Sequence, residues 1–120
     1  MFQYEVTNTA ITAPTAGRVV DVKWWYTINN TNVGQTEFSF LIHNNTLVAQ
    51  FQELIDHWDQ LTTHRITFNN PFVDIYIDNN RDLGFQLVDN GTHAPGIVCT
   101  IPNNDLIKDF LIAIRDQANM

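Results

Sequence analysis

Residues 46–62, TLVAQFQELIDHWDQLT, carry the strongest helical pattern in this chain and limit how the rest can be arranged. Apolar side chains recur along this stretch at the spacing of an α-helix, about every 3.6 residues, and leave a polar opposite face. The apolar stripe consists of Leu47, Val48, Phe51, Leu54, Ile55, Trp58 and Leu61. The pattern predicts an amphipathic helix over 46–62, with Asn45 or Thr46 capping its start.

The residues before this helix alternate between apolar and polar side chains, which is typical of strands with one buried face. The longest alternating stretch places Val20, Val22 and Trp24 on one face and Asp21 on the other. The alternation predicts three strands, at 2–7, 18–28 and 36–42. A turn rich in asparagine separates the last two, so we expect them to form a hairpin.

The residues after the helix alternate again, in shorter stretches separated by turn residues. Short connections containing Asn-Asn pairs favour antiparallel hairpins, because parallel strands need long crossovers. A final apolar stripe predicts a second helix, with Asn103 or Asn104 as its cap. The predicted elements are strands at 65–68, 72–78, 83–88 and 97–101 and a helix at 105–117.

The predicted order of elements is therefore β-β-β-α-β-β-β-β-α. Two amphipathic helices and antiparallel strands are most economically arranged as an α+β, two-layer sandwich, in which the helices cover one side of the sheet. We expect one mainly antiparallel sheet of about six strands. The length of 120 residues predicts a single domain over 1–120.

Thirteen acidic residues stand against six basic ones, which gives a formal charge of −7. This balance argues against binding to nucleic acid or to anionic membranes, both of which attract clusters of Lys and Arg. It favours a basic protein partner. The sequence has no long apolar run and no visible secretory signal at its start, so we expect a cytoplasmic protein that does not enter a membrane.

No set of residues has the spacing of a catalytic, cofactor or metal site. Cys99 is the single cysteine and alternates with apolar residues in a predicted strand, which favours an inert buried thiol. Ser39 lacks the surroundings of a nucleophile. The histidines lack the spacing of zinc ligands and are interpreted as surface residues: His43, His57, His64 and His93. We therefore expect a protein that is not an enzyme and holds no cofactor or metal.

The uncovered side of the predicted sheet is the first candidate for partner binding. Strand alternation places Phe72, Asp74, Tyr76 and Asp78 on one face, and Trp25 on the same open side. Exposed aromatic side chains among carboxylates resemble a protein interface, in which the aromatics anchor and the acids attract a basic partner. The predicted contact residues are Trp25, Asp74, Tyr76 and Asp78.

The polar face of the first helix competes with this surface. Asp56 and Asp59 lie on it, so the helix could present the acidic surface instead. The sequence leaves both surfaces open.

The whole pattern resembles the small immunity proteins of bacterial polymorphic and contact-dependent toxin systems. The resemblance lies in the aromatic hairpin VVDVKWWYTI (19–28) and TEFSFLI (36–42), and in the closing segment IVCTIPNNDLIKDFLIAIRDQ (97–117). It implies a cytosolic antitoxin that binds a cognate toxin domain, often a nuclease, and blocks it stoichiometrically. We expect such a protein to be a monomer or a weak dimer.

Two other classes of binding protein stay open. One is a chaperone of the type III secretion type, which would hold an unfolded effector. The other is a phage-encoded inhibitor of a host defence protein, which has the same physical requirements as an immunity protein.

Overall fold

A computed structural model describes the backbone of residues 1–11, 17–42, 45–69, 72–88 and 95–119. Side chains are described at 1–9, 17–42, 45–68, 73–87 and 98–119, so His43, His93 and the side chain of Phe72 lie outside the described residues. The elements follow the predicted order. They are β1 (Phe2–Ile11), β2 (Gly17–Ile28), β3 (Thr31–Ile42), α1 (Thr46–Asp59), β4 (His64–Asn69), β5 (Phe72–Ile77), β6 (Leu83–Val88), β7 (Pro95–Ile101) and α2 (Ile107–Ala118).

The strands form two antiparallel sheets, and the prediction of one sheet of about six strands was wrong. The first sheet has the order β1-β2-β3 and the second has the order β4-β5-β6-β7. The α+β class, the two helices and the antiparallel pairing agree with the prediction.

The division into two sheets follows from the area that each layer has to cover. Seven paired strands would be roughly 30 Å wide, whereas two adjacent helices cover roughly 20 Å. A single sheet would therefore leave part of its apolar face in water. Instead the two sheets also cover each other, since the Phe85 ring of β6 lies 4.7 Å from Trp24 of β2 and 5.2 Å from Phe38 of β3.

The two helices lie side by side and run antiparallel. Asp59 at the end of α1 pairs with Lys108 at the start of α2 at 2.8 Å, and Gln52 accepts a hydrogen bond from Arg115 at 2.8 Å. Helix α2 begins at Ile107, later than predicted, and neither Asn103 nor Asn104 is its cap. Asn104 Oδ1 instead accepts a 2.8 Å hydrogen bond from the N–H of Leu106, in the turn just before the helix. The buried side chains of helices and sheets form one connected cluster.

Helix α1 ends earlier than predicted, at Asp59. Its last carbonyls are bonded by the N–H groups of Leu61 (to Trp58, 3.3 Å) and Thr62 (to His57, 3.0 Å), which is the Schellman arrangement. Leu61 has φ 60° and is 76% exposed, so its predicted place in the apolar stripe was wrong. The helix ends two residues before Leu61, so Leu61 does not reach the core.

We expect Leu61→Gly to stabilise the fold by about 1 kcal/mol, because a left-handed residue with a Cβ atom is strained by roughly 1–2 kcal/mol. The exposed leucine side chain contributes little packing that would offset this gain. Urea denaturation followed by circular dichroism would measure the difference.

Gly34 provides the matched control for this prediction. It has φ 65° in the bulge of β3 opposite Trp25, and an added Cβ would meet nothing within 4 Å. Gly34→Ala should therefore destabilise by about 1 kcal/mol through backbone strain alone. A destabilised Leu61→Gly variant would show that the exposed leucine makes contacts that the strain argument ignores.

Candidate interaction surface

Trp25 lies on the outer face of the first sheet, between the buried Trp24 and the partly buried Tyr26 on β2. Its indole N–H donates a hydrogen bond to Gln3 Oε1 at 3.0 Å, and Lys23 Nζ lies 5.8 Å from the ring centre. These two contacts fix the orientation of a ring that is only half-buried. Part of the ring therefore stays accessible, and its role as an anchor for a partner stays a prediction.

Carboxylates lie near Trp25 on the same face. The sequence placed Asp21 on this side of β2 but did not single out Glu5 or Glu37. Strand pairing places Lys23 between Glu5 on β1 and Glu37 on β3, with Lys23 Nζ 3.9 Å from Glu37 Oε1. Asp21 accepts a hydrogen bond from Ser39 at 2.6 Å in the next row. Together they line a cleft of about 320 Å³. Glu5 and Glu37 lie beside the same residue, Lys23, because of the register in which β1, β2 and β3 pair.

Asp74 is on the outer face of the second sheet, as the alternation predicted, but it is 5% exposed. Its Oδ2 atom accepts a 2.8 Å hydrogen bond from Arg65 Nη1. Its Oδ1 atom is buried and has no hydrogen-bond partner within the described residues. Asp74 is thus engaged inside the molecule and offers little surface to a partner.

Tyr76 lies beside Asp74 and is packed between two neighbours. The Arg65 guanidinium carbon sits 4.5 Å from the ring centre, which is a cation–π contact. The end of the ring crosses Gly84, where an added Cβ would lie 2.3 Å from the ring carbon Cζ. Arg65 and Gly84 therefore position Tyr76, which leaves the side chain half-buried.

Asp78 has a structural role in the connection between β5 and β6. Its Oδ1 atom accepts hydrogen bonds from the backbone N–H groups of Asn80 at 2.9 Å and Asp82 at 3.0 Å. Side-chain acceptors of this kind stabilise tight turns. The same turn holds Arg81 at φ 66°.

The structure does not bring the four predicted sheet residues together. Trp25 belongs to the first sheet, whereas Asp74, Tyr76 and Asp78 follow one another along β5 and its turn in the second. The prediction that these residues share one open face assumed a single sheet. The division into two sheets separates Trp25 from the other three residues. The outer face of the second sheet pairs the charge of Asp74 with that of Arg65.

The competing residues, Asp56 and Asp59, lie on the exposed side of α1. Asp56 accepts a 2.9 Å hydrogen bond from Gln52, and Asp59 pairs with Lys108 at 2.8 Å. Glu53, one turn before Asp56, is exposed and faces His64 at 3.1 Å. We call Glu53, Asp56 and Asp59, with the exposed Leu61 just beyond, the α1 row.

The helical layer carries three of the seven net negative charges. Helices α1 and α2 together hold five carboxylates and two basic side chains. Both basic side chains are already paired, Lys108 with Asp59 and Arg115 with Asp116. Glu53 and Asp56 therefore present charge to solvent without a lysine or arginine beside them in the described residues. The helical spacing of these acids was visible in the sequence, whereas the pairing of the two cations was not.

Two tyrosines have perturbed phenol groups outside these surfaces. Burial raises the pKa of Tyr4, and the charge of Asp109 raises it further. Burial also raises the pKa of Tyr26, with a smaller contribution from Asp82. Both phenols stay neutral at physiological pH, so they add no charge to the acidic surfaces.

Among the described residues, no group of three or more His, Cys, Asp and Glu side chains is arranged to hold a metal ion. Cys99 is a half-buried free thiol packed against the core from β7. In the part of the chain that the structure describes, no helix has the length and apolar character needed to cross a membrane. In comparisons with known proteins, no family model, curated protein or solved structure matches this chain.

Proposed function

We propose that this chain is an immunity protein, an antitoxin that binds a cognate basic toxin domain and inhibits it stoichiometrically. The proposal includes a cytoplasmic location, a nuclease as the toxin, and a chain that acts as a monomer or weak dimer without catalysis of its own. The observation that carries it is the α1 row, an exposed set of carboxylates on a rigid helix.

The position of the α1 row supports binding rather than general solubility. Leu54 and Ile55 hold the helix against the core with 0% and 4% exposure, so the carboxylates on its opposite side have a fixed spacing. Fixed charges attract an oppositely charged partner without an ordering cost at the moment of contact. A nuclease site is basic because it binds phosphates.

Leu61 supports the same surface. Interfaces combine a small apolar anchor with a polar rim, and Leu61 is 76% exposed next to the acids of α1. Its side chain stands on a turn fixed by two backbone hydrogen bonds, from Leu61 and Thr62. We therefore propose that Leu61 enters an apolar pocket of the partner while Glu53 and Asp56 face its basic residues.

The first sheet offers the second acidic surface, around Trp25. Its acids are compensated to the same extent, because Lys23 lies between Glu5 and Glu37 as Lys108 lies beside Asp59, so the exposed Leu61 favours the α1 row. We therefore place the partner on the α1 row and use the first sheet as the control surface.

The first test asks whether this chain binds a toxin domain and protects against it, and charge reversal then locates the binding surface. The toxin domain encoded beside this chain is expressed with it, and growth rescue and a one-to-one complex are the expected results. A chain that fails to bind or to protect against that domain, or that shows turnover of its own, would contradict the proposal.

We expect the double variant Glu53→Lys/Asp56→Lys to lower the association rate about tenfold or more at low salt, since steering by charge dominates the encounter. The difference should shrink at high salt as the charges are screened. Stopped-flow mixing at two salt concentrations would measure both effects.

The double variant Glu5→Lys/Glu37→Lys is the matched control, because it makes the same change in net charge on the first sheet. Both glutamates are exposed. It should slow association much less. Equal slowing by both variants would show that net charge, and not the α1 row, attracts the partner.

A further inference from the structure

Two histidines form a parallel stack where α1 passes into β4. The rings of His57 and His64 lie 4.1 Å apart with an angle of 5° between their planes. His57 is in the last turn of α1, and His64 is the first residue of β4. The stack therefore joins the two ends of the connection that contains Leu61 and Thr62.

Each ring is held by one polar contact besides the stack. His57 Nδ1 lies 2.7 Å from Thr62 Oγ1, and His64 Nε2 lies 3.1 Å from Glu53 Oε2. Both Glu53 and Thr62 are therefore fixed relative to the pair. Neither ring is enclosed, because both histidines are only partly buried and His64 keeps 25% of its side chain exposed.

The geometry of the stack does not suit a metal ion. Imidazole binds a metal through a lone pair in the plane of its ring. Two rings 4.1 Å apart and nearly parallel direct their lone pairs along separate parallel planes, so the lone pairs cannot meet at one ion. What the stack can bind is protons.

The charged groups around the stack come from three elements. On α1, Glu53 contacts His64, while Asp56 and Asp59 point outward to their own partners. On β4 and after β5, Arg65 and Asp78 line the cleft that also contains His64. In the turn before β6, Arg81 lies 4.2 Å from the ring of Trp58, next to His57 in α1. Among the charged side chains that the structure describes, only Glu53 makes direct contact with the pair.

We propose that the His57–His64 stack is a proton-sensitive joint, which stays closed while at most one ring is charged and opens when both are. One carboxylate, that of Glu53, can balance one charge but not two positive charges held 4.1 Å apart. Separation of the rings removes the contact between the end of α1 and the start of β4, and so loosens the connection that carries Leu61. The core does not depend on the stack, so the opening is local.

Nuclear magnetic resonance of the whole chain between about pH 8 and about pH 5, the range in which histidine charges, tests this joint. Ring proton shifts report the charge of each histidine, and an Overhauser contact reports the stack. We expect the contact to disappear as the second ring charges. The Leu61 and Thr62 amides should then lose roughly tenfold or more in exchange protection, while core amides keep theirs.

The variant His64→Gln is the control, because glutamine can still donate to Glu53 but cannot take up a proton. Its Leu61 and Thr62 amides should stay protected over the same range. His57→Gln gives a second, independent variant if the first one folds poorly. A ring contact that persists with both histidines charged would overturn the proposal, as would equal acid loosening of both variants.

Discussion

Phe110→Ala is expected to destabilise the fold by about 3–5 kcal/mol, which is the usual loss for a buried phenylalanine. The Phe110 side chain is 0% exposed. Its ring lies 5.2 Å from Tyr4, 5.7 Å from Phe2, 5.8 Å from Trp24 and 6.4 Å from Phe85. Alanine would remove an aromatic ring from the place where α2 meets both sheets, and rigid strands on two sides limit how far the cavity can close.

Urea denaturation would measure this loss, and Ile112→Ala is the matched control. Ile112 is on the same helix but is only half-buried. Its replacement introduces the same helix-favouring alanine as Phe110→Ala but removes less packing. We expect it to lose less than half as much stability. Similar losses for the two variants would show that helix α2 as a whole, and not the contacts of Phe110, joins the sheets.

The helical parts of this fold follow directly from the sequence. The spacing of Phe51, Leu54 and Ile55 identifies the buried face of α1, and the same holds for Phe110 and Ile114 on α2. These are local patterns that depend on the period of one element. Leu61 departs from the pattern because its backbone is in the left-handed conformation. Glycine or asparagine would have indicated such a conformation in the sequence, whereas a leucine at helical spacing does not.

The number of sheets was not predictable in the same way. Alternation identifies the buried face of each strand, such as Val20 and Val22 on β2 or Val73 and Ile75 on β5. It does not show whether any strand of β1–β3 pairs with a strand of β4–β7. That choice depends on contacts between distant segments, such as Trp24 with Phe85.

The prediction of the candidate site was limited in the same way, because it too depends on contacts between distant segments. The alternation placed Asp74 on the face opposite Val73, which the structure confirms, but it could not predict that Arg65 would pair with it. A charge on an outer sheet face is expected to be solvated unless a neighbouring strand supplies a counterion. By contrast, the exposure of Asp56 follows from helical geometry alone.

Arg65→Ala is expected to destabilise the fold by about 2 kcal/mol, because it leaves a buried carboxylate without its cation. The Asp74 side chain is 7% exposed, whereas that of Arg65 is 51% exposed and reaches Asp74 at 2.8 Å from the solvent side. The Oδ1 atom of Asp74 already has no hydrogen-bond partner among the described residues. Removal of Arg65 would leave the second oxygen unpaired as well, and it would remove the cation that holds Tyr76. Thermal and urea denaturation would measure the loss.

Lys108→Ala separates the effect of burial from that of distance. The Lys108–Asp59 pair has the same 2.8 Å separation, but its side chains are 43% and 50% exposed, so its loss should be under about 1 kcal/mol. The double variant Arg65→Ala/Asp74→Ala should then be more stable than Arg65→Ala alone, since it removes the unpaired charge together with its partner. A double variant that is less stable than Arg65→Ala would mean that Asp74 stabilises the sheet independently of Arg65. Equal losses for Arg65→Ala and Lys108→Ala would mean that the Asp74 carboxylate is solvated once its cation is gone. The larger loss for Arg65→Ala is expected only if Asp74, unlike Asp59, stays shielded from water.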